Sequence, residues 1–411
     1  MSTPSAPDFQ QRFQSPHLED PYPLYERLRH EAPIHFSEAL SLWVVTRHED
    51  VRAVLGNPGD FLSANAFASP VPPPPEVLEV LAQGYPRLPS LVDADAPYHT
   101  RMRAIVSRAL APQRVGALEP RIRELATRMA DDFVPLGRAE VVSRFNFPLP
   151  ARVIGLLLGM PDADLERFRV WTEDMSLLSG GNLPVARQVE CARSLVAFQH
   201  YMAALIHERR QVPRDDLTSA LVATRPEEGP PLEDAELINL VMGLHFGGHE
   251  TTTNLLGNMQ VMLLREPERW KALRDEPTLL PRAVEEAVRL DTPLQGMMRT
   301  TRRAVTLGGA ELPEGARVLV LFGSANRDAG TFQAPDRFQI RRPDTGRHLG
   351  FGAGIHYCLG AQLARLEVRV AMEVLLARMD TPRLQADKPI VYLPNFLHRG
   401  PKQLYLEWEP R

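Results

Sequence analysis

Cys358 lies in a ten-residue run, Phe351-Gly352-Ala353-Gly354-Ile355-His356-Tyr357-Cys358-Leu359-Gly360, that crowds glycines, a histidine and a thiol together. Glycines two apart permit turns and close backbone approaches that a Cβ forbids. Immediately afterwards Leu359, Leu363, Leu366 and Val370 recur at helical spacing, which predicts a helix opening near Cys358 and continuing to residue 378. At a helix N-terminus, unpaired N–H groups and the dipole favour an anion. The sulfur should therefore lose its proton readily and act as a metal ligand or a nucleophile. Taken alone, the same residues also describe a buried, inert cysteine in a glycine-rich turn.

A second constellation interrupts a long helical pattern over 233–265. Its apolar stripe runs through Leu237, Leu240, Val241 and Leu244, then resumes at Leu255, Met259 and Met262. Between these it passes Gly248 and Thr251, which are not core residues. The adjacent Gly247 and Gly248 each cost a helix about 1 kcal/mol relative to alanine, and Thr251, Thr252 and Thr253 add β-branched crowding. The Thr251 hydroxyl is spaced to reach the Gly247 carbonyl four residues back and open the helix to water. Such a sequence sacrifices helix stability where something flat must approach the backbone, or where another helix packs closely.

Three further groups carry charge at helical spacing or near it. His99 and Arg103 are four apart and share a helix face; Glu286 and Arg289 are three apart; Arg299 follows Met297-Met298. Each has an ordinary reading as a solvated surface group.

The run from Phe351 to Gly360 resembles the haem-thiolate loop of cytochromes P450, and Gly247-Gly248-His249-Glu250-Thr251-Thr252 resembles the distal-helix motif of that family. The resemblance extends in family order over nearly the whole chain. It implies haem b with Cys358 as axial iron ligand, and a cofactor cradle that includes Phe351, Gly352 and Gly360. It also implies an oxygen-binding notch beside Gly247 and Gly248, and proton delivery by Glu250 and Thr251, because reducing dioxygen takes up protons. Haem propionates need cations or strong donors at the pocket rim; the resemblance assigns His99, Arg103, Arg299 and His356 to them. Glu286 and Arg289 match a buried structural network whose third member is expected to be Arg337, with Arg342 as competitor.

The elements that must position these groups are mostly helices. The patterning predicts them at 20–31, 97–110, 118–133, 188–211, 233–265, 279–290 and 358–378, with strands at 42–46, 305–307, 317–322 and 402–408. This is a mainly α fold with small β-sheets at both ends, expected as one P450 domain over 1–411 with residues 1–15 a loosely ordered tail. The stretch 63–95, which holds Ser69-Pro-Val-Pro-Pro-Pro-Pro75, reads as a long functional or mobile loop.

Composition bounds the rest. The 411 residues are 44% hydrophobic and 24% charged, with 47 basic against 51 acidic groups, which gives no bulk reason to expect nucleic acid. Two cysteines exclude a disulfide scaffold and a four-cysteine zinc or iron–sulfur site made by this chain alone. No apolar run approaches the roughly 20 residues of a membrane span, and no export signal opens the chain. The expectation is a cytoplasmic, monomeric protein with reduced thiols; no role is assigned to Cys191.

The implied activity is insertion of one atom of O2 into an apolar small molecule, by hydroxylation or epoxidation of a lipid, terpenoid, macrolide or drug-like compound. The Glu250–Thr251 pair argues against a dedicated peroxide-using branch. Electrons are expected from NAD(P)H through a separate ferredoxin or flavodoxin with its reductase. Six arginines (337, 341, 342, 347, 365, 369) against Asp344 and Glu367 suggest a basic docking face around the cysteine loop. Leu177, Leu178, Leu244, Leu294, Met297, Met298 and Phe396 are the expected substrate-pocket residues. Two alternatives stay open: a haem-binding sensor or carrier without turnover, which leaves Glu250 and Thr251 unexplained, and a hydrolase using Cys358 as nucleophile with a histidine such as His356.

Overall fold

The computed structural model describes residues 7–64, 72–180, 183–225, 230–392, 395 and 397–410. They are predominantly helical, with four small sheets among the described residues, in line with the mainly α expectation. Two compact units form: Met1–Ser63 with Gly116–Leu149 and Thr251–Arg411, and Ala64–Val115 with Pro150–Glu250. No helix among the described residues is long and apolar enough to cross a membrane.

The first unit is built on a five-stranded sheet in the order Ile34–Ser37, Leu42–Val45, Arg317–Leu321, Gly296–Thr301, Phe61–Leu62. The hairpin at 34–45 is therefore not a separate terminal sheet. Its inner strand pairs in parallel with Arg317–Leu321, Trp43 opposite Val318, a long-range pairing that no local pattern announces. Side chains alternate across the pleat, so Val318 and Val320 join Val51, Val54 and Leu55 of helix His48–Gly56 in one core. Strand Gly296–Thr301 lies inside this sheet, with Met298 opposite Leu319 and Arg299 opposite Val318. The sequence Gly-Met-Met-Arg-Thr-Thr has no clean alternation, and this strand was not anticipated.

Other differences have equally local causes. Of the tail expected over residues 1–15, residues 1–6 lie outside the described residues, and Phe9–Phe13 forms a 3-10 helix. Phe9 is fully buried and stacks on Tyr25, while the Ser37 hydroxyl donates to Asp8; one buried aromatic is enough to tie the segment down. The strand expected at 402–408 divides at Leu404, whose N–H donates to Glu140 Oε1. Pro401–Gln403 and Tyr405–Pro410 consequently belong to different sheets.

The second unit packs helix Val185–Gln211 against helix Leu165–Gly180, which the patterning did not reveal. Within the stretch read as a loop over 63–95, Pro75–Leu81 is helical. Proline's fixed φ suits a first helical position, and Val77 and Val80 bury themselves against Ala192, with Leu178 and Val196 alongside. Residues 69–71 of the proline run lie outside the described residues. Helix Asp234–Leu264 spans 31 residues and continues unbroken through the glycine pair and the three threonines.

Candidate functional site

In the first unit, the cysteine loop is closed by its own backbone: the Cys358 N–H donates to the Phe351 carbonyl at 2.9 Å. The following helix begins at Ala361 with Gly360 as N-cap, so Cys358 stands in the turn ahead of the helix rather than on its first residue. Its side chain is exposed, whereas Cys191 is buried. Gly354 is required twice over. Its φ of +67° is left-handed, and a Cβ there would lie 2.4 Å from the Leu55 carbonyl oxygen. Gly352, at φ +70°, supplies the other reversal.

His356 and Arg299 are each held by a neighbour. His356 Nε2 lies 2.9 Å from the hydroxyl of Ser63, which is 1% exposed. Nothing in the sequence marks Ser63, because 293 residues separate the pair. Arg299 is buried on its strand and donates to the Met298 carbonyl at 2.7 Å. Leu294 and Met297 pack on the same core as Ala353 of the cysteine loop, and Met298 is buried. The tertiary structure thus gathers Arg299, Met297, Leu294 and the loop onto one sheet. Phe396 lies outside the described residues.

In the second unit, His99 is buried and Arg103 half-buried, one turn apart on helix Tyr98–Ala109. The two glycines of the long helix differ in purpose. A Cβ at Gly248 would lie 2.7 Å from Ile154 Cδ1, so Gly248 is a close-packing site; a Cβ at Gly247 would meet nothing within 4 Å. Leu244, Gly247, Glu250 and Thr251 keep some exposure along a helix that is otherwise largely buried. Leu178 packs on helix Pro75–Leu81, and Leu177 is 37% exposed.

His249, between the glycine pair and Glu250, was given no role by the sequence. Its Nδ1 lies 3.1 Å from the His245 carbonyl. A carbonyl only accepts, so Nδ1 carries the proton. The other nitrogen faces Thr172 Oγ1 of helix Leu165–Gly180 at 3.5 Å. His245 itself is boxed by Phe168 and Phe198; burial, aided by His249, pushes its pKa down to about 3, so it stays neutral.

The structural network differs from expectation in one member. Arg289 Nε and Nη2 form a fork on the Glu286 carboxylate, each at 2.8 Å. The third side chain is Arg342, whose Nε lies 3.0 Å from both oxygens. Arg337 is exposed and contributes only its carbonyl, which accepts from Arg289 and Arg342. Backbone geometry decides this: the turn at 334–342 directs carbonyls inward and carries the Arg337 side chain out.

The arginine-rich segment is also less positive than its local count suggests. Arg341 pairs with Glu276, Arg342 with Glu286, Arg365 with Glu285 and Arg369 with Glu119. These acids are far away in sequence, Glu119, Glu285 and Glu286 on helices and Glu276 just beyond the end of one.

The family model for cytochrome P450 matches residues 188–408. The P450 monooxygenase PikC of Streptomyces venezuelae is 37% identical over 95% of this chain and 91% of its own length. Mycinamicin IV hydroxylase/epoxidase of Micromonospora griseorubida is 38% identical, covering 89% of each chain. Among solved structures, cytochrome P450 CREJ in complex with (4-ethylphenyl) dihydrogen phosphate superposes with a TM-score of 0.89 at 32% identity, over 95% of this chain and 97% of that one. With an exposed loop thiol, a glycine–acid–threonine helix and likeness along nearly its full length, this chain belongs to the cytochrome P450 family and is a haem- and O2-using monooxygenase.

Proposed function

We propose that this monooxygenase hydroxylates or epoxidises a large apolar substrate of the macrolide class, with Cys358 as the residue that would ligate the haem iron and electrons delivered from NAD(P)H through a separate ferredoxin or flavodoxin and its reductase. The observation that carries the ligand assignment is the exposed Cys358 thiol, on a loop that two left-handed glycines turn and the Cys358 N–H to Phe351 carbonyl bond closes.

The residues present fit a haem. Within the first unit an exposed thiol stands with the donors Arg299 and His356, the kinds of group that haem iron and propionates require; the second unit, taken by itself, carries His99 and Arg103 on one helix and an open flank at Gly247. When bound, haem supplies dioxygen activation and oxygen-atom transfer, chemistry beyond any side chain. Cys358 would hold the metal as thiolate. Arg299 and His356 would donate to the propionates, charge-assisted where charged, a role the family resemblance also gives to His99 and Arg103. Glu250, partly exposed, would take up protons from solvent, and the neighbouring Thr251 hydroxyl would hold one for donation. The family resemblance gives substrate contact to Leu177, Leu178 and Leu244 of the second unit and to Leu294, Met297 and Met298 of the first; such apolar side chains would exclude water, and the thioethers of the two methionines would adapt to varied apolar shapes.

The macrolide assignment is supported by the relative named for hydroxylation or epoxidation of mycinamicin IV. Two cysteines cannot hold a ferredoxin cluster, which supports separate electron donors. With four of six arginines already ion-paired, docking should depend only modestly on salt. The test is the difference spectrum of the reduced carbon-monoxide adduct, followed by a panel of macrolides, terpenoids and fatty acids scored by displacement of iron-bound water. A thiolate-type band with macrolide-induced shifts supports the reading. A band without the thiolate red shift overturns the ligand assignment, and shifts only with fatty acids or terpenoids overturn the substrate class.

A further inference from the structure

The cysteine loop contains two glycines in left-handed conformations, so its own backbone is too permissive to hold a sulfur in one place. Something outside the loop must restrain it. On one side the restraint is contact with Leu55 and Ser63, described above. On the other side stands a cluster that neither the sequence pattern nor the reaction has absorbed.

Arg365, on helix Ala361–Arg378, forms a fork on Glu285 of helix Leu280–Leu290, with Nε to Oε1 at 2.5 Å and Nη2 to Oε2 at 2.9 Å. The same planar guanidinium lies 4.4 Å from the centroid of Phe351, and its remaining nitrogen donates to the Tyr357 hydroxyl at 3.3 Å. Phe351 is the residue whose carbonyl accepts from Cys358 N–H; Tyr357 is the residue just before Cys358. One side chain therefore touches both ends of the hydrogen-bonded loop.

His348 completes the cluster. Its Nδ1 accepts from the Gly350 N–H at 3.2 Å, so Nε2 carries the proton and donates to Glu285 at 3.1 Å. Glu285 thus receives three hydrogen bonds and cannot rotate away from Arg365 without losing them. The bonds to Glu285 hold Arg365 firmly charged, as stacking on a ring face favours.

We infer that Arg365, oriented by Glu285 and His348, is a positioning residue for the Cys358 thiolate, clamping the loop through Phe351 and Tyr357. The inference rests on Cys358 being the metal ligand only for its spectroscopic consequence; the clamp itself is a property of the polypeptide. Arginine is needed for its shape. A lysine keeps the charge toward Glu285 but has neither the plane that stacks on Phe351 nor the fork.

The test uses hemin-loaded Arg365→Lys, Arg365→Gln and Phe351→Leu proteins and the Arg365→Gln/Phe351→Leu double variant. Amide hydrogen exchange should be about tenfold faster in peptides covering 351–358 for Arg365→Gln and for Phe351→Leu, with no further increase in the double variant. Arg365→Lys should resemble Arg365→Gln, and peptides from 361–378 should be unchanged. The reduced carbon-monoxide adduct should lose part of its thiolate-type band to a blue-shifted form, and the reduction potential should move. Wild-type exchange in Arg365→Lys, additive effects in the double variant, or acceleration throughout 361–378 would each overturn the clamp. A wild-type protein without a thiolate band would defeat the ligand assignment instead, and the exchange comparison would still decide the clamp.

Discussion

Arg342 reaches across 56 residues to place its Nε 3.0 Å from both carboxylate oxygens of Glu286, and both side chains are buried. Removing Glu286 strands two buried guanidinium charges that the interior cannot solvate, so Glu286→Gln should destabilise the protein by about 3–5 kcal/mol. Arg342→Ala leaves Glu286 paired with Arg289 but forfeits the buried bonds of its guanidinium, and should cost about 1–3 kcal/mol. Arg337→Ala should stay within roughly 0.5 kcal/mol, since only its carbonyl is used. Urea unfolding of the three variants separates these outcomes. Equal losses at Arg337 and Arg342 would contradict the network described.

The two glycines of the long helix should respond oppositely to alanine. Gly248→Ala drives a methyl into Ile154 and should cost about 1–3 kcal/mol. Shortening Ile154 to alanine in the same chain should recover part of that loss. Gly247→Ala meets open space and should gain up to about 1 kcal/mol of helix stability, while weakening dioxygen chemistry if the notch lies beside it. Thermal unfolding and turnover, measured together, check both.

Acid tolerance should depend on Glu285. Burial pushes its pKa up, but hydrogen bonds from His348 and Arg365 outweigh that and bring it from 4.5 down to about 2. A depressed carboxylate stabilises the fold fully above the unfolded pKa, and loses that contribution as pH falls from about 4.5 toward 2. Wild type should therefore lose on the order of 1 kcal/mol relative to Glu285→Gln across that window, once screening of the partly exposed pair is allowed for. Denaturant midpoints of the two proteins at pH 5 and pH 3 measure the difference. Parallel curves would remove Glu285 from the account.

Proton delivery should reside at one hydroxyl. Thr251→Ala is expected to keep haem and substrate binding but to divert reducing equivalents into hydrogen peroxide, lowering product formed per reductant consumed by about tenfold or more. Thr251→Ser should restore most of the coupling, because it keeps the hydroxyl. Unchanged coupling in the alanine variant would assign the proton path elsewhere.

The long-helix pattern was legible because its information is local. An apolar stripe of period 3.6 marks a helix wherever it occurs, and the stripe through Leu237 and Met259 placed this one to within a residue at each end. Helix Leu165–Gly180 escaped notice because charged and apolar residues alternate on it without a clean face; its aromatic residues Phe168 and Trp171 meet partners on another helix. The start of the helix after Cys358 was misplaced by three residues because Leu359 continues the apolar spacing through a turn that two glycines dictate.

The sequence by itself determined the kind of chemistry: a thiol in a glycine loop, a glycine pair ahead of an acid and an alcohol, and the helices that carry them. These depend on residue type and on spacings of a few positions, which a chain states outright. Only the tertiary structure decided which distant groups answer each other: Arg342 rather than Arg337 on Glu286, Ser63 on His356, Ile154 against Gly248, Arg365 against Phe351. Those pairings are set by chain reversals and sheet register accumulated over tens to hundreds of residues, where no local preference distinguishes one arginine from the next.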